Sequence, residues 1–253
     1  MKKIAFITGA TAGIGEASAK RFASEGWNLV LTGRRAERLI QLKAELEAAF
    51  GLECQILVFD IRDRTAVEAA WNSLSEEWQA VDLLLNNAGL ALDKSPLVEN
   101  DPTDWDTMID TNVKGLLYMT RMVMPAMIAR RAGHIINLGS VAGREVYPGG
   151  AVYCASKFAV EGLSRAMRLD LLQHKIRVTS ISPGLVETEF SVVRFKGDEA
   201  KADAVYQDYE PLVAEDIAEC VYWAASQPPH VCINDIALTC TAQGDSRTLY
   251  KEN

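Results

Sequence analysis

The chain has 253 residues, of which 49% are apolar and 24% charged, a length and balance that suit one soluble α/β domain with a large core. With 26 Lys and Arg against 34 Asp and Glu, the net charge is −8. An acidic surface of this kind has no general attraction for nucleic acid or anionic lipid, so an anionic ligand must be held by local cations or backbone N–H groups.

Five cysteines without a CxxC pair, and three histidines away from them, argue against a structural metal. Free thiols in a reducing compartment are the simplest reading. The start, Lys2-Lys3-Ile4-Ala5-Phe6-Ile7, is basic then apolar, but the apolar run stops at Thr8-Gly9. That is too short for a signal-peptide core, and no stretch approaches a membrane span. The expectation is a cytoplasmic protein without a membrane or nucleic-acid partner.

In chain order, residues 4–8 read as a strand and 14–25 as a helix with Ile14, Ala17 and Phe22 on one face. Residues 28–32 read as a strand. Residues 36–50 form a helix whose Leu39, Leu42, Leu46 and Ala49 recur at helical spacing. A strand at 53–60, a helix at 65–78 and a strand at 82–86 follow. A long helical region at 105–131 contains Pro125, which should bend or interrupt it. Then come a strand at 134–138, a helix at 153–173, a strand at 177–182, a helix at 215–225 and a last strand at 231–239.

The strands are short continuous apolar runs, so both faces should be covered. Repeated βαβ units predict a parallel sheet of about seven strands, wound on both sides, in a single domain spanning 1–253. Residues 184–211 fit neither period. An irregular stretch of that length in a compact α/β domain is often a lid or binding loop.

Gly9, Gly13 and Gly15 follow the first strand and open the first helix. Glycines there permit a tight turn and close approach of a pyrophosphate, which the helix N-terminus then meets with free N–H groups. The second strand ends in Gly33-Arg34-Arg35 where an NAD site would place an acid. Two guanidiniums suit a 2′-phosphate, and the sequence places no acid beside them to compete, so the cofactor expected is NADP. The alternative is that both arginines are solvated charges at the start of the next helix.

Tyr153 and Lys157 lie four residues apart and share a helix face. A phenol has a pKa near 10, too high for efficient proton transfer at neutral pH, and an adjacent ammonium would lower it. Ser140 ends the fifth strand and can donate to a substrate oxygen. Asn112 stands inside the long helical region, where asparagine is a poor helix former.

With these residues in this order, the chain resembles the classical short-chain dehydrogenase/reductases over nearly its whole length. Residues 8–15, including Thr11 and Ile14, match that family's cofactor motif. Asn86-Asn87-Ala88-Gly89 matches its motif after the fourth strand. Asn112, Ser140, Tyr153 and Lys157 match its catalytic tetrad. Pro183-Gly184 matches the turn after the sixth strand, with Val186 and Thr188 in the amide-binding stretch. The resemblance implies a single-domain Rossmann fold and a homotetramer whose interface is carried by the helices at 105–131 and 153–173. It also implies that Asp60 and Ile61 contact the adenine, that Lys157 binds the nicotinamide ribose, and that Asn112 serves a water-mediated relay toward Lys157.

Residues 87–92, 108–112 and 184–190 followed by 193–198 are similar to the NADP-dependent 3-hydroxy acid dehydrogenases, a group that includes serine and allo-threonine dehydrogenases and malonic semialdehyde reductases. A 3-hydroxy acid carries a carboxylate, for which Arg194 and Arg144 are the candidate receptors. A broad carbonyl or diketone reductase and a non-catalytic NADP(H) sensor are the competing readings.

Overall fold

The structure, a computed structural model, describes residues 2–251. Strands β1 (Ile4–Ile7), β2 (Asn28–Gly33), β3 (Cys54–Val58), β4 (Leu83–Asn86), β5 (Gly133–Leu138) and β6 (Ile176–Pro183) alternate with helices. The helices up to this point are α1 (Gly13–Ser24), α2 (Ala36–Phe50), α3 (Arg64–Asn72), α4 (Glu76–Gln79), α5 (Pro102–Ile109), α6 (Leu116–Arg130) and α7 (Ala151–Leu171). After β6 come β7 (Val186–Glu187), α8 (Glu189–Arg194), α9 (Glu199–Asp203), β8 (Leu212–Val213), α10 (Ala214–Ser226) and β9 (Asp235–Leu238).

Seven strands form one sheet in the order β3-β2-β1-β4-β5-β6-β9, every pair parallel. Period-two alternation divides the core. Ala5 and Ile7 of β1 pack with Leu29, Leu39 and Val221 on the face covered by α1, α2 and α10. Phe6 packs with Val30, Trp71, Val123 and Met127 on the other. Both faces are thus buried, as the continuous apolar strands required.

Local chemistry explains the boundaries. Gly51 ends α2 in the left-handed region at φ 61°. Asp63 caps α3 by accepting from Thr65 and Ala66 N–H, and Asp101 caps α5 with Pro102 at its first position. The single helix expected at 65–78 is two, because the chain turns at Ser73-Leu74-Ser75.

The long helical region is interrupted, but not at Pro125. Helix α6 runs through Pro125 to Arg130. Pro125 is exposed, as is Arg121, whose carbonyl loses its partner, so water can take the lost bond. The irregularity lies instead at Asp110–Gly115, a wide π turn containing Asn112. The last strand is shorter than expected. Before it, the carbonyls of Val231 and Ile233 are held by Arg177 and Thr179 side chains rather than by a neighbouring strand. Residues 184–211 hold two short helices and a two-residue strand, all too short to show a period in sequence.

Free cysteines include Cys54, whose thiol burial pushes up to about 12, and the buried Cys154 beside Tyr153. Among the described residues no cluster of His, Cys, Asp or Glu could hold a metal ion, and no helix is long and apolar enough to cross a membrane.

A buried polar ladder ties the sheet to its helices behind the site. Asn86 Nδ2 donates to Thr120 Oγ1 and to Asn137 Oδ1, both at 2.9 Å, and Asn137 Nδ2 donates to Ser164 Oγ at 2.9 Å. Replacing Asn137 with Leu removes two of these bonds and leaves one N–H of the buried Asn86 amide without an acceptor, while Ser164 Oγ still donates to the Val160 carbonyl. It should lower unfolding free energy by about 1–3 kcal/mol, measured by chemical denaturation.

Candidate active site

Strand order reverses between β1 and β4, and at the carboxyl ends of these strands lies a cleft of about 390 Å³. Thr8 ties its floor. The hydroxyl accepts from Asn87 and Ala88 N–H at 3.0 Å each, while Asn87 Nδ2 donates to the carbonyls of Thr8 and Gly9 at 2.9 and 3.2 Å. Gly9 and Gly13 have φ of 68° and 53°, where a side chain strains the backbone. Gly15 sits beneath: a Cβ there would strike the Gly9 carbonyl and lie 2.5 Å from Asn87 Nδ2. Ala12, before α1, offers no side-chain cap, so the first N–H groups of α1 stay free for an anion. This cradle fits a dinucleotide pyrophosphate.

The expected cofactor residues line this one cleft: Gly9, Thr11, Gly13, Ile14, Arg34, Arg35, Asp60, Ile61, Asn87, Ala88, Gly89, Pro183, Gly184, Val186 and Thr188. Gly15 serves it from below without lining it. At the adenosine end the sequence-based expectation is corrected, because acids do face the arginines. Arg35 Nη1 donates to Glu189 Oε2 at 2.8 Å, and Arg34 lies 3.9 Å from Asp60. Asp60 itself is held by Arg62 at 2.7 Å. Glu189 was invisible in sequence because it arrives from 154 positions away.

At the other end stand Ser140, Tyr153 and Lys157, all buried and all lining the cleft. Helix α7 places Tyr153 and Lys157 one turn apart. Ser140 Oγ accepts from Ala142 N–H at 3.1 Å, which fixes its rotamer above β5. Arg194, the last residue of α8, closes this end. Its guanidinium carbon is 5.1 Å from the Tyr153 ring centroid and 5.2 Å from that of Phe190. Its Nη2 donates to the Tyr147 hydroxyl at 2.7 Å, whereas its Nε is buried without a partner.

The model of the short chain dehydrogenase family matches residues 3–199. The chain belongs to the short-chain dehydrogenase family. It is 50% identical over 236 residues to the NADP-dependent 3-hydroxy acid dehydrogenase YdfG of Escherichia coli (strain K12), covering 93% of this chain and 94% of that one. It is 48% identical over 244 residues to sulfoacetaldehyde reductase 2 of Chromohalobacter salexigens, covering 96% of each. Among solved structures, the closed form of serine dehydrogenase complexed with NADP+ superposes with a TM-score of 0.93 at 47% identity, covering 99% of this chain and 100% of that one.

In this short-chain dehydrogenase the electrostatics of the tyrosine differ from those the spacing suggests. Burial raises the Tyr153 phenol above its ordinary value, and the cation that opposes this is Arg194, followed by the Ser140 hydroxyl. Lys157 Nζ lies 5.9 Å from the Tyr153 ring centroid and donates to the Leu138 carbonyl at 2.8 Å. Burial lowers the Lys157 ammonium to about 8, and Glu161 partly offsets this.

Asn112 does not line the cleft. Its Oδ1 accepts from Leu90 N–H at 2.8 Å, and its Nδ2 donates to the Leu90 carbonyl at 2.8 Å and to Ser156 Oγ at 3.0 Å. The amide thus pins the segment after β4 to α7, and the π turn lets it reach both. Arg144 also falls outside the cleft, with Nη2 3.9 Å from Glu161 and 3.8 Å from Asp235. That pairing removes it as a receptor for a substrate anion. Tyr147, Phe190 and Glu189 line the cleft without a sequence signal of their own.

Lys157 loses its proton as pH rises through about 8. A reductive step that needs the ammonium should therefore show an alkaline limb in kcat/KM near pH 8. Glu161→Gln removes a carboxylate that favours the ammonium, so the limb should move to lower pH. A limb that stays in place would assign it to another group.

Proposed function

We propose that this oxidoreductase moves a hydride between NADP(H) and a short 3-hydroxy acid of the serine, allo-threonine or 3-hydroxypropionate type. The observation that carries the reading is Arg194, a half-buried guanidinium with an unpartnered Nε beside Tyr153. A carboxylate two carbons from the reacting centre would complete it, since a buried donor without a partner is costly. The cofactor is NADP, supported by the arginines at the adenosine end and by relatives whose names carry NADP.

When bound, NADP supplies the hydride acceptor, or the donor in the reverse direction. The residues around it do the rest. Gly9, Gly13 and Gly15 admit the pyrophosphate, and Arg34 and Arg35 take the 2′-phosphate. Tyr153 accepts the alcohol proton in oxidation and returns it in reduction, with Ser140 donating to the same substrate oxygen. Burial alone would keep Tyr153 a phenol, so the Arg194 charge and the Ser140 hydroxyl are what bring it toward proton release. Lys157 is placed to hold the nicotinamide ribose, and Asn112 holds the wall on which Lys157 acts.

Residues 184–211 form the lid, since α8 brings Phe190 and Arg194 over Tyr153. A sulfonate carries the same charge as a carboxylate, and the relation to sulfoacetaldehyde reductase 2 makes it the second reading. A neutral diketone would leave the Arg194 Nε unmatched, which counts against the broad carbonyl reductase. The same reading makes the protein a cytoplasmic homotetramer. Leu169 and Leu172, 75% and 73% exposed at the end of α7, are apolar surface that such an assembly would cover.

Serine, 3-hydroxypropionate, a hydroxysulfonate and an uncharged alcohol of equal length, assayed with NADP+, test this reading. The acids should be preferred. Arg194→Met should raise their KM roughly 10- to 100-fold, the worth of a charge-assisted hydrogen bond, with little change for the neutral alcohol. Equal losses on both would remove the assignment. Tyr153→Phe should bind NADPH normally, followed by fluorescence, while turnover falls on the order of 100-fold or more.

A further inference from the structure

We propose that Glu189 is a positioning residue that ties recognition of the cofactor's 2′-phosphate to the placement of Arg194 over the substrate. The proposal rests on the reading of Arg194 given above. Helix α8 has six residues, with Glu189 first and Arg194 last. Its two end residues, about 7.5 Å apart along the helix axis at about 1.5 Å per residue, therefore face different parts of the cleft.

The first end is clasped by two arginines. Glu189 Oε2 accepts from Arg35 Nη1 at 2.8 Å, and its Oε1 accepts from Arg38 Nη1 at 2.6 Å. Both arginines are themselves anchored on Thr11 in the glycine-rich turn. Arg35 donates to Thr11 Oγ1 from Nε and Nη2 at 3.1 and 2.8 Å, and Arg38 donates to the Thr11 carbonyl at 3.3 Å. One carboxylate thus joins α8 to the start of α2 and to the turn after β1. The preceding Thr188 side chain packs against Gly13, within 3.2 Å of where a Cβ would stand. At the far end, the Arg194 carbonyl accepts from Asp93 N–H at 2.9 Å.

An exposed ion pair alone stabilises little. A carboxylate shared by two guanidiniums, each with a second anchor, holds a fixed geometry and does more than a lone pair would. The charges also balance with the cofactor in mind. Arg34, Arg35, Arg38 and Arg62 face Glu189 and Asp60, which leaves two positive charges for a dianionic 2′-phosphate. Glu189 therefore both competes with the phosphate for Arg35 and, through Arg38, keeps α8 down while the phosphate is bound.

This dual role predicts an effect that mere loss of structure does not give. Glu189→Gln removes a negative charge near the phosphate, so NADPH should bind at least as tightly as to wild type. Arg38→Met removes a positive charge, so NADPH should bind more weakly. Both variants release α8, so both should raise KM for the acid substrate, by about tenfold, with kcat changed less.

Hydrogen exchange of residues 189–206 in the NADPH complex, which needs no substrate, should be faster in both variants than in wild type. Unchanged exchange in both, or an acid-substrate KM that stays at the wild-type value in both, would overturn the proposal. Cofactor affinities that fall together in the two variants would overturn it as well. A wild type that prefers neutral alcohols would overturn the substrate reading instead, and the exchange measurement would then decide the clasp by itself.

Discussion

The site depends on one close contact, where the Gly9 carbonyl, the Gly15 backbone and the Asn87 amide meet with no room for a methyl group. The contact joins the ends of β1 and β4 where the sheet order reverses. It brings the free N–H groups of α1 to the mouth of the gap between the two strands. Thr8 finishes the joint by satisfying two backbone donors from the segment after β4. Once it is made, the start of α2, the end of β5 and the residues after β6 all border one cleft.

A second constraint is electrostatic. The protein carries a net charge of −8, yet the cleft gathers Arg34, Arg35, Lys157 and Arg194. Two of these cations sit at each end. Arg34 and Arg35 are exposed and shared with Asp60 and Glu189, which tempers the positive field there. Beside Tyr153, Lys157 is buried, which lowers its ammonium toward 8, and Arg194 is half-buried with its Nε shielded from solvent and without a partner. The acidic exterior and the cationic cleft together suit an anionic cofactor, and they underlie the proposal of an anionic substrate.

Much of this was legible before the fold was seen. Glycine spacing located the turn, continuous apolar runs gave a parallel sheet, and the Tyr153–Lys157 spacing put two side chains on one helix face. What sequence could not supply were contacts between distant segments. Glu189 reads as a surface acid until α8 brings it to Arg35 and Arg38. Arg144 reads as well placed until it is seen beside Glu161 and Asp235. Asn112 looked like a weak point in a long helix. It stands instead in a π turn, and its amide bridges Leu90 and Ser156. Pro125 gave the stronger break signal but lies on the water-facing side, where the lost bond costs little.

In the proposed reaction, Arg194 and Tyr153 receive the two ends of one small hydroxy acid. A crystal structure of the complex with NADP+ and 3-hydroxypropionate measures this directly. The carboxylate should lie within about 3 Å of the Arg194 Nε and the hydroxyl at similar distance from Ser140 Oγ and the Tyr153 phenol oxygen. A substrate bound with its carboxylate in solvent, or with Arg194 still paired only to Tyr147, would contradict it.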